Sequence, residues 1–379
     1  MATATQRLAP EVFRLPVEKI RSGYYSDSYF VLTKELLEAE GRHPEVTMQV
    51  FAKRAGLLGG IDEALAILRL CSGRQRGGAW RDGWPDLRVR GLGEGDRIEP
   101  WETVLTIAGD YSLFAHLETV YLGSLSRRSL VMTNVRRVVE AAGGKPILFF
   151  PARHDHWLVQ TGDGWAAHVA GAIGVSTDAQ ASWWGGRGVG TVPHALIAAY
   201  GGDTVAAARD FCRRFGDDVN VVVLVDFHND SVADAVAVAD ALGDGLWGVR
   251  LDTSERLVDR ALQDEPNAEQ LAGVTPELAL KVREALDAAG HKWVRIVASG
   301  GFDAERIERF EQRGAPVDSY GVGSALLRGG FDFTADVVEL DGAPLAKAGR
   351  ELRPNPRLRE VTRAPFPAHS TGNGARVDG

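Results

Sequence analysis

The sequence predicts an α/β protein in which a parallel sheet is covered by helices and preceded by a smaller α+β region. Two observations carry this expectation. From Pro146 to Val322, short apolar runs alternate with amphipathic stretches, the pattern of strands buried on both faces between helices. Polar and glycine-rich residues also cluster just after each apolar run: Asp226 to Asp230, Asp252 to Ser254, Ser299 to Gly301, and Gly323-Ser324. Such positions converge on the carboxyl-terminal rim of a closed (β/α) barrel, but also on the strand ends of an open doubly wound sheet. Repetition alone leaves both architectures open.

Taken in order, residues 1–144 read as a small α+β cap. Val46–Phe51 alternates like a strand, Ile61–Leu70 has helical spacing, and Leu87–Ile107 sets Gly and Glu between short apolar runs. Ser112–Ala142 is mostly helical. Residues 145–334 then carry the alternating units. Strands are expected at Ile147–Phe150, Val219–Val225, Trp247–Leu251, Val294–Ala298 and Val317–Val322. Helices are expected at Ala166–Ile173, His194–Tyr200, Val205–Phe215, Val232–Leu242, Pro276–Ala289 and Ala304–Arg313. A strand-like run, Ala335–Leu340, and the basic stretch Lys347–Arg363 form a segment, 335–363, that returns to the cap. Residues 364–379, rich in Pro, Gly, Ser and His, read as a disordered tail.

Composition bounds the function. At 379 residues the chain is long enough for two or three domains, or for one barrel plus a cap. Apolar residues make up 45% and charged residues 25%, which excludes wholesale disorder and collagen-like repeats. The longest apolar stretch, Val219–Val225, is interrupted by Asn220 and falls far short of the ~20 residues of a membrane helix. The first residues lack an apolar core of signal-peptide type, so no export is expected. Cys71 and Cys212, the two cysteines, offer neither a disulfide framework nor a zinc knuckle, which fits a reducing cytoplasm. A net charge of −8 argues against generic nucleic-acid binding. A small anionic substrate stays compatible with it, because local cations, amides and a metal override the global sign.

The chemistry concentrates at the expected strand ends. Ser299-Gly300-Gly301 follows one strand and precedes a helix, and Gly321-Val-Gly323-Ser324 repeats the arrangement one unit later. Glycines there let backbone amides approach a phosphate, and the helix that follows adds its dipole. Plain strand-to-helix turns would look the same singly; the pair at consecutive strand ends favours phosphate. Asp226 and Asp252 each end a strand, and Arg250 shares a strand face with Asp252. Carboxylates beside a guanidinium suit ribose hydroxyls, a pyrophosphate and Mg²⁺ held through water, although a salt bridge and a helix cap would use the same residues. His154, His156 and His168 lack the partners of a zinc site. Gly185 to Gly190 has glycines without the spacing of a nucleotide loop.

These elements, in this order, resemble the nicotinate phosphoribosyltransferase family, in particular its compact archaeal form. The match is carried by Ser26-Asp27-Ser28-Tyr29-Phe30, Phe150-Pro-Ala-Arg153, Gly190-Thr191-Val-Pro-His194, Val-Asp226, Val-Arg250-Leu-Asp252-Thr, Ala-Ser299-Gly300-Gly301-Phe-Asp303 and Gly321-Val-Gly323-Ser324. The resemblance implies an irregular (β/α) barrel with an α+β cap built from the amino-terminal part and the returning segment. It implies transfer of a phosphoribosyl group from 5-phosphoribosyl-1-pyrophosphate (PRPP) to nicotinic acid, with Mg²⁺ at Asp226 and Asp252, the entry step of NAD salvage. In that reading Asp226, Arg250, Asp252 and His194 are catalytic. Ser299, Gly300, Gly301, Gly321, Gly323 and Ser324 hold phosphate. Phe150, Arg153, His154 and Thr191, with Tyr29 from a second subunit, bind substrate. His194 is the histidine that the family phosphorylates with ATP, and active sites at subunit contacts imply a homodimer or larger homo-oligomer.

Two departures bear on the substrate. Pro151 follows the stacking Phe150 where the family has Gly, and His154 stands where a second Arg is common. A mostly uncharged imidazole clamps a carboxylate less firmly than a guanidinium. The rivals are therefore transfer to quinolinate or nicotinamide and a non-catalytic nucleotide-binding relative. A barrel lyase would want a strand-end lysine, and Asp226, Asp252 and Ser299 supply none.

Overall fold

A computed structural model describes residues 7–361 and divides them into two compact units. Residues 134–182 and 186–328 form one; residues 7–133, 183–185 and 329–361 form the other. The tail expected at 364–379 lies outside the described residues.

The 134–182 and 186–328 unit is a curled, six-stranded parallel sheet with helices between its strands. The order is Val222–Leu224, Gly248–Leu251, Arg295–Ala298, Ser319–Val322, Ile147–Phe149 and Gly174–Val175, every neighbouring pair parallel. These strands are short and apolar because both faces are covered: Val223, Leu224, Val249, Leu251, Ile296 and Ala298 are all buried. Val189–Val192 bonds to both outer strands. The Val189 amide donates to the Val175 carbonyl at 2.7 Å, and the Val192 amide to the Val222 carbonyl at 2.8 Å. Val192 also pairs with Val223 in parallel.

Four of the helices that lead into or between these strands start on a side-chain cap. Asp203 accepts from the Ala206 amide at 2.8 Å, Asp230 from Ala233 at 3.3 Å, Thr275 from Leu278 at 3.2 Å and Asp303 from Arg306 at 2.9 Å. Each cap satisfies one orphan donor, worth ~1 kcal/mol. Helix Gln160–Ala170 starts six residues before the expected Ala166. Gly162 and Gly164 obscured it, yet Gly164 is a place of close packing: a Cβ there would lie 2.2 Å from the Gln180 carbonyl oxygen.

The other unit holds an antiparallel sheet, in the order Ala343–Pro344, Phe333–Leu340, Glu45–Ala52, Thr103–Asp110, Arg88–Gly91 and Arg359–Glu360. Strands from the end of the described chain thus occupy both flanks of a sheet begun near its start. Its core packs Val50, Leu65, Leu105, Phe114, Tyr121 and Phe333 together. Trp183 belongs to this unit and meets the Phe13 ring edge-on at 4.8 Å.

Candidate active site

The parallel sheet brings most of the candidate residues to its carboxyl-terminal edge, because register places successive strand ends side by side. Arg250 pairs with Leu224 on one side and Val297 on the other, and Leu251 pairs with Ala298. Asp252 and Ser299, one residue further along, are therefore neighbours. The Ser299 hydroxyl lies 2.7 Å from Asp252 Oδ1 and 3.0 Å from the Leu251 carbonyl oxygen, and its single proton favours the closer carboxylate. Ser299 is 2% exposed, so its hydroxyl is shielded from water.

Arg250 is fixed through one end only. Its Nε donates to Ser299 Oγ at 2.7 Å, whereas its Nη atoms reach Thr191 Oγ1 and Asp252 Oδ1 only at 3.5 Å each. The guanidinium also lies 5.2 Å from the Phe150 ring centroid. A planar cation anchored by Nε and loosely engaged at both Nη atoms is prepared to donate to phosphoryl oxygens.

His194 starts helix His194–Ala199, and its Nε2 lies 2.9 Å from Asp226 Oδ1. The carboxylate is 6% exposed and the imidazole 42%. The hydrogen bond to Asp226 holds the imidazole pKa above its ordinary value. Burial opposes the rise, the charges of Asp226 and Asp252 add to it, and Arg250 subtracts from it. The two pairs thus lie within one another's field.

Among the glycines, Gly300 and Gly301 adopt left-handed backbone, with φ of +89° and +72°. A Cβ on Gly300 would approach Asp252 Oδ1 at 3.3 Å. Gly321 lies within strand Ser319–Val322, where a Cβ would meet the Phe150 ring at 2.8 Å. Gly323 faces His154 in the same way, at 2.9 Å from Cε1. Ser324 opens the short turn Ser324–Leu327 and is exposed, as are Arg153 and His154 on the turn Ala152–His154. Tyr29 sits in the other unit, on helix Ser28–Ala39, 61% exposed, with its hydroxyl 3.4 Å from Asp27 Oδ2.

Two further groups escaped sequence reasoning. Arg306 braces the Gly300 turn, its Nη1 donating to the Gly300 carbonyl at 2.7 Å and its Nη2 to the Val274 carbonyl at 2.6 Å. His228 forms a second imidazole–carboxylate pair, Nδ1 to Asp234 Oδ2 at 3.1 Å. Backbone carbonyl partners leave no sequence signal; the His228–Asp234 spacing of six, from a loop into a helix, is equally silent.

Residues 27–129 match the family model described as "Quinolinate phosphoribosyl transferase, N-terminal domain". The chain is 33% identical over 268 residues to a nicotinate phosphoribosyltransferase of Mycobacterium tuberculosis, a match taking in 68% of this chain and 55% of the relative. A nicotinate phosphoribosyltransferase of Bacillus subtilis is 25% identical over 62% of this chain and 44% of that one. The chain thus spans about half the length of the curated relatives it matches. Among solved structures, nicotinate-nucleotide pyrophosphorylase from Pyrococcus furiosus superposes with a TM-score of 0.75 at 33% identity, covering 92% of this chain and 85% of that one. Human nicotinic acid phosphoribosyltransferase shares the fold, with a TM-score of 0.63 at 19% identity over 86% of this chain and 77% of that one. With a third of its residues identical over 68% of its length to a nicotinate phosphoribosyltransferase, the chain belongs to the nicotinate phosphoribosyltransferase family.

Proposed function

We propose that the chain transfers the phosphoribosyl group of PRPP to nicotinic acid, giving nicotinate mononucleotide and pyrophosphate. The observation that carries this reading is the Thr191–Arg250–Ser299–Asp252 network at the strand ends, within the electrostatic reach of the His194–Asp226 pair. Transfer passes through an oxocarbenium-like state in which charge builds on the departing pyrophosphate, and the loosely engaged Arg250 Nη atoms are suited to receive it. The pyridine nitrogen is already a nucleophile, so the site needs no general base. Gly300 and Gly301, with helix Ala304–Gln312 behind them, suit the 5′-phosphate, helped by Gly321, Gly323 and Ser324. Phe150 suits stacking of the pyridine ring, with Arg153 and His154 at its carboxylate and Tyr29 of a second copy on its far side.

Among the described residues no three His, Cys, Asp or Glu side chains are grouped to enclose a metal ion. Asp226 and Asp252 suit Mg²⁺, which binds mostly through water and substrate phosphates, by holding its waters. When bound, Mg²⁺ neutralises diphosphate charge. Coupling to ATP would proceed at His194, where Asp226 occupies Nε2 and leaves Nδ1 open.

The same reading takes in the wider architecture. Bonding of Val189–Val192 to both outer strands supports an irregular (β/α) barrel over 145–334. The antiparallel sheet, with strands from both ends of the described chain, supports a cap made from 1–144 with 335–363 returning to it. A cytoplasmic homodimer is part of the proposal, and no helix among the described residues is long and apolar enough to cross a membrane. The quinolinate model matched by residues 27–129 favours one rival substrate. Pyrophosphate release should therefore be measured with PRPP and Mg²⁺ against nicotinate, quinolinate and nicotinamide, with and without ATP. Nicotinate is expected to give the highest kcat/KM, and His194→Ala to lose only the stimulation by ATP. Preference for quinolinate with release of CO₂ would replace the reading.

A further inference from the structure

Two imidazole–carboxylate pairs share the end of strand Val222–Leu224, and they bond in opposite senses. His194 uses Nε2 on Asp226, whereas His228 uses Nδ1 on Asp234. Between them lies one ring: the Phe227 centroid is 6.4 Å from His194 and 5.2 Å from His228. From below, Gly202 closes on the same group, where a Cβ would sit 3.4 Å from Phe227 Cε1 and 3.5 Å from His228 Nε2.

The loop that carries these residues is held unevenly. Its far half is fixed by main-chain and buried bonds. Asn229 donates to the Val258 carbonyl at 2.8 Å, its own carbonyl accepts from the Arg260 amide at 3.0 Å, and Ser231 bonds Asp259 at 2.7 Å. Its near half, Phe227 and His228, is held at the side-chain level by His228–Asp234. Charges around it come from the loop (Asp226, Asp230), the following helix (Asp234), helix His194–Ala199 (His194) and Arg260, which reaches Asp230 at 3.7 Å. Three carboxylates so close make His228 a poor seat for a phosphate by itself and a good partner for Asp234.

We infer that His228 is a positioning residue: clipped to Asp234, it holds Phe227 against the His194 imidazole and so keeps His194 aligned on Asp226. The inference deepens the proposed function and rests on His194 being used in turnover. A displacement of one side chain by about 1 Å can cost about 100-fold in rate, so a looser Phe227 should act on kcat rather than on affinity.

The test compares His228→Ala with His228→Asn in the full chain, because the Asn Nδ2 can replace Nδ1 on Asp234 while removing the rest of the imidazole. The His194 ring-proton signals, read at one pH in histidine-labelled protein, sense the ring current of Phe227 directly. His228→Ala is expected to shift those signals and to lower the ATP-stimulated kcat about tenfold, with KM for PRPP within about twofold and turnover without ATP unchanged. His228→Asn is expected to restore both. Unshifted His194 signals in His228→Ala would overturn the inference. So would His228→Asn as impaired as His228→Ala with His194 signals in place, since the lost group would then be touching substrate itself. A parent that releases no pyrophosphate with any pyridine would sink the proposed function instead, and the ring-proton comparison would still decide the positioning.

Discussion

The two ends of the parallel sheet are built on different principles. At the carboxyl end, polar side chains hold one another: Ser299 joins Arg250 to Asp252, and Asp226 orients His194. At the amino end, a cleft of about 550 Å³ is lined by Asp217, Asn220, Asp244, Trp247, Trp293 and Arg295, and there the Arg295 guanidinium carbon lies 4.7 Å from the Trp247 ring centroid. The difference follows from the parallel crossover. Loops leaving the strands run into helix starts, where Asp230 and Asp303 cap exposed amides, so donors collect at that edge. Convergence of anchored charge singles out the carboxyl end.

Substitutions at the two ends should separate by orders of magnitude. Arg250→Lys keeps a positive charge but loses both Nη donors and the bond to Ser299, and Asp252→Asn removes the carboxylate that orients that hydroxyl. Each is expected to lower kcat/KM for pyrophosphate release by about 10²- to 10³-fold, with the unfolding midpoint nearly unchanged. Trp247→Ala, at the opposite end, is expected to cost about 3 kcal/mol or less of stability in denaturant titration while leaving kcat/KM within about twofold. An inactive but folded Trp247→Ala protein would break the comparison.

Gly321 offers a sharper test, because it lies inside the strand at the carboxyl end. Alanine there must push the Phe150 ring off its seat, and overpacking of this kind costs about 1–3 kcal/mol. Stability measured by urea unfolding should fall by that amount. If Phe150 stacks on the pyridine, KM for nicotinate should rise while KM for PRPP changes little. Equal rises in both would mean that the ring serves the sheet rather than the substrate.

Much of this was legible in sequence for one physical reason. Strands buried on both faces must be apolar throughout, so Asp226, Asp252 and Ser299, each ending such a run, stand out against it. Helices were readable where Asp or Thr caps them. Legibility failed where packing overrode pattern. Gly164 sits inside a helix where backbone contact with Gln180 leaves no room for a side chain. The expected strand Val219–Val225 shrinks to Val222–Leu224, with Asn220 exposed outside it. The hairpin Gly73–Arg76 to Ala79–Asp82 went unseen because its residues are mostly polar and exposed. Within the site, residues that bond across strands were readable as types but not as partners. That Arg250 turns its Nε to Ser299 and its Nη edge outward is information that only the register supplies.

The smallest expected effect concerns the charge state of His194, and its sign is fixed by the geometry. The imidazole pKa is raised in the folded chain by its bond to Asp226, so the folded state holds this proton more tightly than the unfolded chain does. The stabilisation is therefore fully present below about pH 6.5, the ordinary histidine value, and is lost as pH rises through the higher folded value. With the ring 42% exposed, solvent screens the pair to a few tenths of a kcal/mol. The stability difference between the parent and His194→Ala, measured by denaturant titration from pH 5 to pH 9, should therefore shrink with rising pH. Asp226→Asn should flatten that dependence, since the remaining amide cannot support the imidazolium. A difference that grows with pH would mean that the folded chain holds His194 neutral, its ring presented as a nucleophile from the outset rather than as a cation awaiting deprotonation.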